Sequence, residues 1–172
     1  MILTGNKIRE EVFNRKIVIE PFNEEAITTN SYDLTLGDKL VMYTDEVIDP
    51  KKEMKTKTII IPDDGYEMKR GEFILGCSNE YVGSDFYVPI VHAKSSIARL
   101  GLFIHITSGL FDIGCKCNVT FHLYATMPIR LYKNMPIAQI TFWKTYGDIK
   151  LYNGKYQNDK GPVASRIYRD FK

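Results

Sequence analysis

Asn118-Val119-Thr120-Phe121-His122-Leu123-Tyr124 is the stretch whose reading decides the fold. Polar and apolar side chains alternate along it, the period-two pattern of a β-strand with one buried face. Val119, Phe121 and Leu123 share one face, and Thr120, His122 and Tyr124 share the other. The same period recurs at Ser31-Tyr32-Asp33-Leu34-Thr35-Leu36, which stops at Gly37-Asp38. Shorter runs read as strands at 16–20, 41–43, 58–61, 73–76, 88–92, 103–106, 129–131 and 137–143. Turn signals separate them, including Pro62-Asp63-Asp64-Gly65, Lys69-Arg70-Gly71 and Asp112-Ile113-Gly114. Many short, evenly spaced strands predict an all-β chain, folded as a distorted antiparallel β-barrel or jelly roll. Two short helices interrupt it: 4–13, with Thr4 as cap and Ile8, Val12 and Phe13 as the apolar stripe, and 95–100.

The 172 residues suit one domain with a sizeable core, and the 44% hydrophobic share is that of a folded globule. We expect a single unit over 1–172, with 152–172 as a C-terminal lid. The net charge of +2 argues against bulk nucleic acid or an acidic membrane as partner. Apolar runs are only a few residues long, and Met1-Ile2-Leu3-Thr4-Gly5-Asn6-Lys7 lacks the apolar region of a signal peptide. The three cysteines (Cys77, Cys115 and Cys117) are an odd count, which with no export signal suggests a reducing cytoplasm. Cys115-x-Cys117 lacks the C-x-x-C spacing of common zinc sites, so both read as plain thiols.

Three segments carry candidate chemistry. In Lys94-Ser95-Ser96-Ile97-Ala98-Arg99-Leu100-Gly101, a helix start gathers backbone N–H groups, two hydroxyls and cations, the makings of an anion site. A capped surface helix explains the same residues equally well. Ser108-Gly109-Leu110-Phe111-Asp112-Ile113-Gly114 reads as a tight hairpin whose backbone approaches a flat ligand and whose Asp112 activates a water. Spacing alone favours an ordinary turn aspartate there. The tail from Tyr152 to Arg166, with its tyrosines and cations, reads as a lid over an anion or as a solvated, frayed terminus.

Taken in order, the start Met1-Ile2-Leu3, the segment 31–37, the segment 94–101, Ser108-Gly109 with Asp112, Ile137-Ala138-Gln139-Ile140-Thr141-Phe142 and the tail resemble the dCTP deaminase/dUTPase superfamily. The resemblance implies a dUTPase-like barrel and a homotrimer with active sites between subunits. It implies a deoxypyrimidine nucleoside triphosphate bound with Mg²⁺, its phosphates on Lys94, Ser95, Ser96, Arg99, Tyr152 and Lys155. The base and sugar would lie along Ser108, Gly109 and Asp112, with Gln139 in support.

The departures from the family pattern bear on the reaction. His122 stands where the deaminases carry their proton-shuttling Glu, and a structural histidine is the plainer reading of it. Lys94 replaces an Arg, Leu110 stands near a missing Arg, and Asp159 stands in place of a Gln. Ser108-Gly109-x-x-Asp112 is similar to the dUTPase form of the motif. The H-x-E and P-C-x-x-C pairing of zinc deaminases is absent. The expectation is therefore hydrolysis of dUTP to dUMP and pyrophosphate, with Asp112, Arg99 and His122 as catalytic candidates. The alternatives are dCTP deamination, alone or combined with hydrolysis, and a catalytically silent nucleotide-binding protein.

Overall fold

The computed structural model describes residues 1–171; Lys172, the last residue of the expected lid, lies outside them. Helix α1 (Gly5–Phe13) precedes strands β1 (Val18–Glu20), β2 (Tyr32–Thr35), β3 (Lys39–Tyr43), β4 (Thr56–Ile60), β5 (Tyr66–Met68), β6 (Phe73–Gly83) and β7 (Val88–Ala93). Helix α2 (Ser95–Ala98) is followed by β8 (Leu102–Phe103), β9 (Lys116–Ala125), β10 (Ile129–Leu131) and β11 (Pro136–Trp143). The largest sheet runs β4-β3-β6-β9-β8, with β1 also paired to β6. A second sheet runs β2-β11-β7, and β10 pairs with β5. The fold is all-β and jelly-roll-like, as expected.

β9 keeps the predicted alternation along its whole length. Cys117, Val119, Phe121, Leu123 and Ala125 are buried, while Lys116, Asn118, Thr120, His122 and Tyr124 are half-buried on the opposite face. Val119, Phe121, Leu123 and Ala125 meet Leu34 from β2 and Ile140 and Phe142 from β11 in one core. Removing a side chain such as Phe121 from water stabilises the fold by roughly 1.5–3 kcal/mol, so the register of β9 is firmly held. A slip by one residue would turn His122 into the core.

Several boundaries differ from the sequence reading. β6 continues through Ser78 and Glu80, where polar residues hid a strand. A register irregularity between Cys77 and Tyr81 admits these residues, and each finds partners. Ser78 Oγ donates to Glu80 O at 2.6 Å and accepts from Val119 N at 2.8 Å. The Glu80 carboxylate accepts from Thr35 N at 3.0 Å and Thr35 Oγ1 at 2.7 Å. β5 gives too short a pattern to be read in advance. β8 ends at Phe103 rather than Ile106. Thr4 occupies the cap position of α1, but its side chain makes no cap bond. In α2 the capping residue is Lys94, with Ser95 and Ser96 in the first turn, and Gly101 takes the expected left-handed conformation at φ +76°. No helix among the described residues is long and apolar enough to cross a membrane.

Candidate active site

The polar face of β9 forms one wall of a cavity of about 660 Å³, a volume in the range of small-molecule sites. Asn118, Thr120 and His122 project from β9, and Phe73 and Leu75 from β6 stand beside them. The segment 105–112 forms a second wall, contributing His105, Ser108 and Asp112. The C-terminal tail supplies Tyr152, Tyr156, Asp159, Val163 and Ser165.

The 105–112 segment is held by backbone contacts to β7. Val91 N donates to Gly109 O at 2.8 Å, and Phe111 N donates to Pro89 O at 3.0 Å. A Cβ on Gly109 would lie 2.7 Å from Val91 O, so glycine is needed here for the approach of the protein's own backbone. The close approach expected of a flat ligand is made by Val91 of β7 instead. Asp112 begins a turn rather than a hairpin: Cys115 N donates to Asp112 O at 3.0 Å, and Gly114 takes φ +91°. The Asp112 side chain is exposed.

His122 has a partner that the sequence reading missed. His105 Nδ1 lies 3.1 Å from His122 Nδ1, with ring centroids 4.8 Å apart and planes at 88°. Burial, then the neighbouring His122, pushes His105 down to about 3, and burial lowers His122. Both rings are therefore neutral near pH 7. The signal was present in the strand register. Phe103 pairs with Tyr124, and two further residues of antiparallel pairing bring His105 opposite His122. The bond from His122 N to Ile104 O at 2.8 Å continues that pairing beyond β8.

The tail is docked rather than frayed. It lies along the first half of β9, with Asn158 N donating to Lys116 O at 2.9 Å and Asn118 N donating to Asp159 O at 3.0 Å. Farther on, Val163 N reaches Thr120 Oγ1 at 3.2 Å and Ser165 N reaches Tyr43 OH at 2.9 Å. Tyr152 OH accepts from Tyr156 N at 3.2 Å. Lys155 pairs with Asp170 and lies over the Tyr156 ring.

The remaining candidates lie outside this cavity. Lys94 is ion-paired with Asp33, while Ser95, Ser96 and Arg99 are exposed on α2. Gln139 sits between Asp33 and His92 on one rung of the second sheet. The cavity is lined by the carboxylates of Asp112 and Asp159, and by no lysine or arginine among the described residues. Its chemistry suits a neutral, flat group with hydrogen-bonding edges; a polyphosphate needs cations from elsewhere. Among the described residues no cluster of three or more His, Cys, Asp or Glu side chains is placed to hold a metal ion.

With this geometry in view, comparison with known proteins gives a consistent result. The sequence model of the dCTP deaminase-like family matches residues 2–145. A dUMP-forming dCTP deaminase of Clostridium acetobutylicum is 45% identical over 172 residues, covering 99% of each chain. Another from Clostridium beijerinckii is 42% identical over 173 residues, covering 100% of this chain and 99% of its own. The crystal structure of the 2'-deoxycytidine 5'-triphosphate deaminase from Agrobacterium tumefaciens superposes with a TM-score of 0.65 at 18% identity. That match covers 82% of this chain and 47% of the other, so this chain spans about half of that structure, and the likeness is one of fold. The chain belongs to the dCTP deaminase-like family.

Proposed function

We propose that this protein hydrolyses dUTP to dUMP and pyrophosphate, with the pyrimidine base in the cavity between Asp112 and His122. The observation that carries the reading is that an exposed carboxylate, Asp112, and a neutral imidazole, His122, line one cavity of nucleoside size. Asp112 takes a proton from a water as that water's oxygen attacks the α-phosphorus. The bond to the β-phosphate bridging oxygen breaks, and pyrophosphate leaves. Mg²⁺ bound through the triphosphate would offset part of its charge.

The phosphates extend out of the cavity, whose lining holds no lysine or arginine among the described residues. Ser95, Ser96 and Arg99 on α2 of a neighbouring copy in a homotrimer, with Lys155 and Tyr152 of the tail, supply donors and charge there. Lys94 keeps its bond to Asp33 and acts by holding the start of α2 in place. Ser108 and Gly109 border the sugar, and Gln139 supports the phosphate site or the 108–114 segment.

A second reading has one specific support. The relatives are dUMP-forming dCTP deaminases, and the His105–His122 pair lines the cavity proposed for the base. Incubation with Mg²⁺ and either dUTP or dCTP, with pyrophosphate and ammonia assayed separately, tests both. Pyrophosphate from dUTP supports the hydrolase. Ammonia from dCTP without pyrophosphate from dUTP overturns it, and both products from dCTP support the combined reaction.

A further inference from the structure

We infer that His105 is a positioning residue that fixes His122 as a hydrogen-bond donor toward the cavity, so that the site favours a pyrimidine carrying a 4-oxo group over one carrying a 4-amino group. The inference rests on the proposed binding of a pyrimidine nucleotide and adds how the base is chosen.

Two Nδ1 atoms at 3.1 Å share one proton, so one ring donates and the other accepts. Each neutral ring has a single N–H. If His122 donated through Nδ1, His105 would carry its proton on Nε2. That atom is buried and has no hydrogen-bond partner among the described residues. Buried N–H groups without an acceptor are the rarest orphans in folded proteins, so the arrangement that leaves His105 Nε2 unprotonated is the one we take. Either arrangement uses one ring of each tautomer, so intrinsic tautomer preferences cancel. The buried Nε2 of His105 therefore decides the matter. His105 donates through Nδ1, His122 accepts through Nδ1, and the proton of His122 sits on Nε2.

Two consequences follow for the cavity. The lone pair of His122 is engaged by His105, so the ring has none to offer a water. It cannot take the proton that the deaminases' Glu would take. What it offers is an N–H, which matches a carbonyl oxygen and opposes an amino group. The neutrality of both rings maintains this arrangement at physiological pH.

Nitrogen-15 NMR of the free protein near pH 7 reads the tautomers without any nucleotide. The expected result is an Nδ1–H tautomer for His105 and an Nε2–H tautomer for His122; the reverse assignment overturns the inference. Equilibrium binding of non-hydrolysable dUTP and dCTP analogues gives the second readout. His105→Phe, which removes the donor, should lower the preference for the dUTP analogue about tenfold, the net worth of one hydrogen bond. His105→Asn, whose amide N–H replaces Nδ1–H, should keep the preference. An unchanged preference in His105→Phe, or its loss in both variants, removes the positioning role. Failure of the proposed hydrolysis would show separately, as no pyrophosphate from dUTP with the wild-type protein.

Discussion

Arg166 grips Asp159 with both ends of its guanidinium, Nη1 to Oδ2 and Nη2 to Oδ1, each at 2.9 Å. The two side chains are 26% and 15% exposed, so the pair is largely shielded from water. Asp159 also lines the cavity and accepts from Asn118 N through its carbonyl. Asp159 thus ties two parts of the tail together while facing the cavity. Arg166→Ala should loosen the tail by about 1–3 kcal/mol, the scale of a hydrogen bond to a charged group. Hydrogen exchange over residues 152–166 should accelerate while exchange in the core of β9 stays slow. Unchanged protection of the tail would contradict the clasp.

Asp112→Asn should cut pyrophosphate release from dUTP by about 10²–10⁴-fold, the usual contribution of a general base. The side chain is exposed, so the variant should fold and still bind a non-hydrolysable dUTP analogue. Steady-state kinetics beside a thermal melt make the comparison. Near wild-type turnover would remove Asp112 from the chemistry.

The histidine pair gives stability a pH dependence of known sign. In the unfolded chain both rings take up protons below about pH 6.5. In the folded protein both titrate lower, His105 at about 3. The unfolded state therefore binds more protons in this window, and stability falls as the pH drops from about 6.5 toward the folded values. His105→Phe should flatten part of that slope in denaturant melts between pH 7 and pH 4. An equally steep slope in the variant would assign it to other groups.

Gly109→Ala should destabilise the fold by about 1–3 kcal/mol, as overpacking against backbone does. The new methyl would meet Val91 O at 2.7 Å, and a carbonyl in a strand cannot move aside cheaply. The 105–112 segment would shift and Asp112 with it, so activity should fall alongside the melting temperature. A melt matching wild type would show that the segment has room to spare.

How far the sequence could be read depended on which physical signal each element carried. β9 and β2 were legible because burial on one face forces alternation, and that alternation survives in the names of the residues. β6 was cut short because Ser78 and Glu80 satisfy their polar atoms through partners distant in sequence, Val119 and Thr35. His122 was found by resemblance, whereas His105 needed the pairing of Phe103 with Tyr124, a long-range register that no local pattern encodes. The tail residues were identified by composition, but their docking along the edge of β9 depends on backbone bonds to Lys116 and Asn118, which side-chain identity does not reveal. Ser95, Ser96 and Arg99 were legible as an anion-binding pattern; their exposure on α2, outside the cavity, was not.

A crystal structure of the protein with Mg²⁺ and an α,β-imido analogue of dUTP would locate the base and the attacking water together. The uracil should lie inside the cavity with its 4-oxo oxygen facing His122 Nε2, and Asp112 should stand beside a water in line with the α-phosphorus. A base bound outside that cavity, or one turned so that no carbonyl oxygen meets His122, would contradict it.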